Sequence, residues 1–145
     1  MAYSFHKYWN STNSDDLNWV LPIREQYDVP LWMGESGENS NTWYTDAVKL
    51  FEDNNVGWAW WAMKKIGSVN SPYRILVNDG YQKILNYWND EGDKPSEQEA
   101  YEAMIKLADN ALSENCIYRK GISDALLRQP HTDETIPFKK RPEIP

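Results

Sequence analysis

An α/β fold with parallel strands is what this sequence predicts, and three observations predict it. Short apolar runs at residues 3–8, 31–35 and 56–62 read as strands. Segments with apolar residues at helical spacing lie between them, so the order is β-α-β-α-β with short loops. That order gives parallel strands joined by right-handed crossovers. Each run also ends in a side chain that carries chemistry, and parallel α/β folds place catalytic groups at the C-terminal ends of strands.

The first run, Tyr3-Ser4-Phe5-His6-Lys7-Tyr8, brings a His and a Tyr to a strand end. Asn13 or Ser14 then caps a helix running towards Tyr27, in which Pro22 marks either a kink or a late start. Val29-Pro30 leads into the second strand, whose apolar residues stop at Glu35 and a Ser/Gly turn. Asn39 or Ser40 caps a helix over 41–54, with Trp43, Ala47, Leu50 and Phe51 on one face. Asn54-Asn55 ends it, and residues 56–62 form the third strand. Side chains alternate across a strand. If Trp61 points one way, Ala59 and Gly57 do too, while Trp58 and Trp60 face the helices.

From Gly67 the pattern changes. A loop over 68–79 precedes a helix at about 80–89, with Tyr81, Ile84, Leu85 and Trp88 on its apolar face. After a break at 91–95, Ser96-Glu97-Gln98-Glu99 is a capping box that opens a helix to Leu112. Ala100, Met104, Leu107, Ala108 and Ala111 line one side of that helix. A last short helix covers about 119–129, and the Pro-rich stretch 137–145 reads as a linker or an edge wrap.

Composition narrows the function classes. The chain has 145 residues, enough for one domain with a real core. A net charge of −7 argues against a nucleic-acid partner and against an anionic membrane surface. No stretch reads as a transmembrane helix or a signal peptide. Eight Trp and nine Tyr suit a core, and they equally suit sugar binding, because pyranose rings stack their C–H faces on aromatic rings. The single Cys116 excludes an intramolecular disulfide and reads as a buried thiol. His131 has no second His or Cys near it and reads as structural or exposed. No Ser-His-Asp set, phosphate loop or metal-ligand spacing stands out. Three strands do not cover themselves, and the first would present an open apolar edge. The chain therefore reads as beginning mid-domain, as the C-terminal part of something larger.

His6-Lys7-Tyr8-Trp9, Gly34-Glu35-Ser36-Gly37-Glu38 and Gly57-Trp58-Ala59-Trp60-Trp61 occur in this order. Together they resemble the ends of the sixth, seventh and eighth strands of glycoside hydrolase family 5, the retaining cellulases, mannanases and relatives. The resemblance implies a partial (β/α)8 TIM barrel over residues 1–66, holding the last three parallel strands. A helical extension over 67–129 would pack on it, and 130–145 would be a Pro-rich tail or linker. It implies Glu35 as nucleophile, with His6 and Tyr8 lining the scissile bond and Tyr8 holding Glu35 ionised. It implies Trp61 as the platform under a sugar ring. Trp9, Asn10, Glu38, Trp43 and Lys64, in the flanking loops, are expected to touch neighbouring sugar units.

A retaining glycosidase needs a second carboxyl group about 5–5.5 Å from the first. The family carries it on the fourth strand, which has no counterpart in this sequence. The expected function is thus a fragment of a retaining hydrolase of β-linked polysaccharide, cellulose-like or mannan-like, acting outside the cell or in the periplasm. It needs no cofactor and no metal, and its partners are the sugar and the missing N-terminal half of the barrel. The alternatives are a non-catalytic carbohydrate-binding half-barrel and an inactive truncated fragment.

Overall fold

A computed structural model of the chain describes residues 1–127. His131 and the tail from residue 130 lie outside the described residues, as does the end of the helix expected over 119–129. The described residues form two compact units, Met1–Trp61 with the segment from Lys120 on, and Ala62–Arg119.

In the first unit, β1 (Tyr3–His6), β2 (Leu31–Glu35) and β3 (Gly57–Trp58) form a parallel sheet in that order. Alternation puts Phe5, Leu31 and Met33 on one face, where they meet Ala47, Leu50 and Phe51 of α2 (Asn41–Asp53). Leu17, Val20 and Val56 complete this core. Ser40 caps α2, its hydroxyl oxygen accepting from Trp43 N. The helix buries a second stripe, Tyr44 and Val48, against Ile122, Ala125 and Leu126 of α5 (Lys120–Leu127). Its apolar surface is therefore wider than the single face expected from Trp43, Ala47, Leu50 and Phe51. The helix expected from Asn13 starts late. Ser14–Leu17 is one 3-10 turn, and α1 (Leu21–Tyr27) begins afresh with Pro22 in its first turn, where a missing N–H costs nothing.

The second unit has its own sheet. β4 (Lys64–Ile66) runs parallel to β5 (Tyr73–Ile75), and β6 (Ile117–Tyr118) lies antiparallel to β5. Helices α3 (Asp79–Trp88) and α4 (Glu97–Asn110) pack together. Gly80 allows their approach, since a Cβ there would stand 2.8 Å from the Cβ of Ala103. Asn78 joins them, capping α3 through Tyr81 N and donating to Ala103 O at 3.0 Å. Of the apolar faces expected here, only Ile84 on α3 and Leu107 on α4 are buried, with Ala103 beside them. Cys116 is half-buried.

The expected architecture is corrected on these points. The described chain is a small α/β structure with two three-stranded sheets, one parallel and one mixed, and five helices. It does not show the last three strands of a TIM barrel followed by a purely helical extension. The third strand contributes two paired residues rather than seven. At Gly57 the Trp32 ring lies so close that an added Cβ would stand 2.5 Å from it. Beyond Trp58 only isolated bonds continue, Ala59 N to Met33 O and Trp61 N to Ser36 O. The three strands of the second sheet are two or three residues long, too short to show alternation in sequence.

Candidate functional site

Glu35 closes β2, and the pairing with β1 decides what stands beside it. Tyr3, Ser4 and Phe5 pair in step with Leu31, Trp32 and Met33. The register then shifts, and His6 pairs with Glu35, leaving Gly34 over. Such a bulge re-aims side chains at a strand end. A Cβ at Gly34 would stand 2.6 Å from Ser4 Oγ, so a side chain there would force the exposed Ser4 hydroxyl to turn away. The shift brings His6 Nδ1 to 3.5 Å from Glu35 Oε2. The ladder resumes one step on, with Lys7 N donating to Glu35 O at 3.1 Å.

The Tyr8 hydroxyl donates to the same carboxylate oxygen, Oε2, at 3.1 Å. Burial first, then the bond to Glu35, then the charges of Glu35 and Glu38 push the Tyr8 phenol up to about 12. Tyr8 is thus a fixed donor to Glu35 rather than a phenolate at any ordinary pH. The side chains of His6 and Glu35 are 56% and 38% exposed, so the pair is open to a ligand.

A buried cation holds the loop that carries Tyr8. The Lys7 side chain is only 3% exposed. Its ammonium donates to Asn10 Oδ1 at 2.7 Å and Ser11 O at 2.6 Å, and it lies 3.4 Å from Asp16 Oδ2. Burial lowers the Lys7 pKa, and Asp16 opposes that shift. Asp16 also accepts from the Ser11 hydroxyl and from Asn13 N. The Ser11 bond is the main reason its carboxyl lies below the usual range, with Lys7 adding to the effect. From the other side, Asn39 Nδ2 donates to Tyr8 O at 3.4 Å and Trp43 Nε1 to Asn10 O at 2.9 Å.

The turn after Glu35 is bound to Trp61. Trp61 N donates to Ser36 O at 2.8 Å. Gly37 has φ 153°, and a Cβ on it would run into the Trp61 carbonyl oxygen. Glu38 follows in the left-handed region at φ 56°, a backbone strain of the kind that clusters at functional sites. Trp61 is 49% exposed. Trp58 and Trp60 pack instead towards α2, with the Trp60 and Tyr44 ring centroids 4.8 Å apart. Ser36 is fully buried with no partner for its hydroxyl, and Trp60 Nε1 is likewise unpartnered.

The residues singled out in the sequence thus fall into groups. Glu35, His6 and Tyr8 come together on one carboxylate oxygen. Glu38 and Trp61 adjoin them through the turn. Trp9 is 74% exposed on the same loop as Tyr8. The Asn10 side-chain oxygen binds Lys7 rather than facing a ligand. Lys64 belongs to the second unit, where its ammonium donates to Ala111 O at 2.7 Å. Lys7 and Asp16 carried no role in the sequence reading, and Gly34 and Gly37 entered it only as parts of a motif and a turn. The glycines flanking Glu35 were the available signal, because a strand end needs two glycines around a carboxylate only where backbone or side chains approach closely. Lys7 and Asp16 gave none, since a separation of nine positions hides their pairing.

Among the described residues, no group of three or more His, Cys, Asp or Glu side chains is placed to hold a metal ion. No helix among them is long and apolar enough to cross a membrane. No protein-family model, curated protein or solved structure matches this chain.

Proposed function

We propose that Glu35 is the nucleophile of a retaining glycosidase-type site for β-linked polysaccharide of the glucan or mannan class. The single observation that carries this reading is the convergence of Tyr8 and His6 on Glu35 Oε2. Both contacts fall on one oxygen, and Oε1 takes part in neither. A carboxylate oriented by a fixed donor on one oxygen, with the other oxygen uncommitted, suits attack on an anomeric carbon. Attack forms a glycosyl ester on Glu35 as the leaving oxygen departs, and water then resolves the ester. The exposed Trp61 ring, anchored beside the turn, supplies a stacking surface for a pyranose.

On this reading the acid/base carboxyl comes from a segment outside the described residues, and the isolated chain turns over natural substrate poorly. The chemistry calls on no cofactor, and its polymeric substrate places the action outside the cell or in the periplasm. Leaving groups that need no protonation separate the nucleophile's step from the missing acid. Mixed with a dinitrophenyl β-glucoside or β-mannoside, the chain releases a burst of dinitrophenolate that Glu35→Gln abolishes. The absence of any burst above solvent hydrolysis with both sugars overturns the proposal.

A second reading, sugar binding without turnover, is favoured by the exposure of Trp9 and Trp61. It predicts oligosaccharide binding in a titration and no burst.

A further inference from the structure

The sheet of the second unit carries cations only. Lys64 and Lys65 lie on β4, Arg74 lies on β5 and Arg119 follows β6. Every Asp and Glu of residues 62–119 falls between Asp79 and Glu114, on the helices and the loops joining them. A purely basic sheet is unexpected in a chain of net charge −7.

Strand pairing decides which of these cations share a face. Lys65 pairs with Arg74, and Arg74 pairs with Ile117. The ladder continues one step past β6, where Arg119 N donates to Pro72 O at 2.7 Å. Paired residues point to the same side of a sheet, as do residues two apart along one strand. Lys65, Arg74 and Arg119 therefore share a face. Arg74 and Arg119 are diagonal neighbours on it, a relationship that places Cβ atoms roughly 7–8 Å apart. Tyr73 and Tyr118 occupy the opposite face, their ring centroids 5.2 Å apart.

Both arginines are half-buried. The Nε of each is shielded from solvent and has no acceptor. Among the described residues neither guanidinium makes a hydrogen bond or an ion pair. A guanidinium has five N–H donors and no acceptor of its own. Leaving an Nε–H buried and unmatched is costly, and native structures rarely tolerate it without a ligand, ion or water. Here it occurs twice, on diagonal neighbours, with a third positive charge on the same face.

We propose that Arg74 and Arg119 form a binding site for an oxyanion, a carboxylate or sulfate group. The guanidinium fork matches both by parallel N–H donors, which an ammonium does not supply. A free anion and an acidic sugar present this same chemistry. The site is independent of the Glu35 reading, since it uses other residues in another unit.

The test is a titration of the full chain, with isotope-labelled arginine, by sodium sulfate, glucuronate, glucose and chloride at matched ionic strength. The Nε–H signals of Arg74 and Arg119 are the readout. Sulfate and glucuronate shift both signals saturably, and glucose and chloride do not. Arg74→Lys and Arg119→Lys, which keep the charge and lose the fork, each weaken saturation about tenfold or more. Saturation at lower glucuronate than sulfate identifies an acidic sugar as the ligand, and the reverse identifies a free anion. The proposal is overturned if neither anion shifts the two signals saturably. It is also overturned if chloride reproduces the shifts, or if both lysine variants bind as tightly as the parent.

Discussion

His6 stands beside Glu35 only because β2 contributes one residue, Gly34, that β1 does not match. In unbroken register His6 would pair with Gly34, and the carboxylate would lie one step beyond it. The bulge sets the imidazole 3.5 Å from Glu35 Oε2. The chain then continues to Tyr8, whose hydroxyl reaches the same oxygen. The geometry of the site is therefore a consequence of strand register, and the glycines around Glu35 are as much a part of it as the polar side chains.

Gly37 and Gly67 both have positive φ, 153° and 64°, yet they differ in surroundings. A Cβ on Gly37 meets the Trp61 carbonyl, whereas one on Gly67 finds only Val77 Cγ2 at 3.5 Å. Gly67→Ala is expected to cost about 1 kcal/mol, the left-handed backbone alone. Gly37→Ala adds a collision with backbone and is expected to cost roughly 3 kcal/mol. Urea unfolding midpoints of the two variants check the order. Equal losses would remove the claimed docking of the turn on Trp61.

Lys7 has its ammonium among three oxygen acceptors, with a side chain 3% exposed. Lys7→Met strands Asn10 Oδ1 and Ser11 O and is expected to destabilise by about 3 kcal/mol. Asp16→Asn leaves Lys7 its two closer acceptors and is expected to destabilise less. Paired urea titrations of the two variants measure this directly. A Lys7→Met protein as stable as the parent would contradict the assigned role.

Much of this site was legible in the sequence, and the rest was hidden for identifiable reasons. A carboxylate after an apolar run pointed to Glu35, and two-residue alternation separated Trp61 from Trp58 and Trp60. The overall architecture was misjudged. Residues 64–66, 73–75 and 117–118 are paired by contacts distant in sequence, and no local pattern announces strands that short. The run 56–62 looked like a full strand because its residues are apolar. Pairing stops at Trp58, where the large Trp side chains pack towards α2. Pro22 left two readings open, and the 3-10 turn ahead of α1 decides for the late start.

The Tyr8 phenol, raised from 10.0 to about 12, predicts a specific pH dependence. The folded state binds this proton more tightly than the unfolded chain does. Its contribution is therefore complete below pH 10 and is lost as pH rises towards about 12. The stability advantage of the parent over Tyr8→Phe should be constant to about pH 9 and shrink from pH 10 upward. A difference that stays flat through that range would mean Tyr8 is not held as a donor to Glu35.

Trp61→Ala removes an exposed ring while leaving the backbone bond from Trp61 N to Ser36 O available. Stability should change little. Affinity for β-linked oligosaccharides should fall roughly tenfold, the loss of one stacking contact. Isothermal titration with gluco- and manno-oligomers measures it, and unchanged affinity would remove Trp61 from the site.

The central claim is that Glu35 attacks an anomeric carbon. Its most direct test is incubation of the chain with dinitrophenyl 2-deoxy-2-fluoro-β-glycosides of glucose and mannose. These need no acid to depart, and they release the trapped sugar slowly. The account predicts a protein heavier by one fluorosugar, with the added mass mapping to Glu35 in the peptide digest and absent from Glu35→Gln. An unlabelled protein with both sugars, or a label on any other residue, would contradict it.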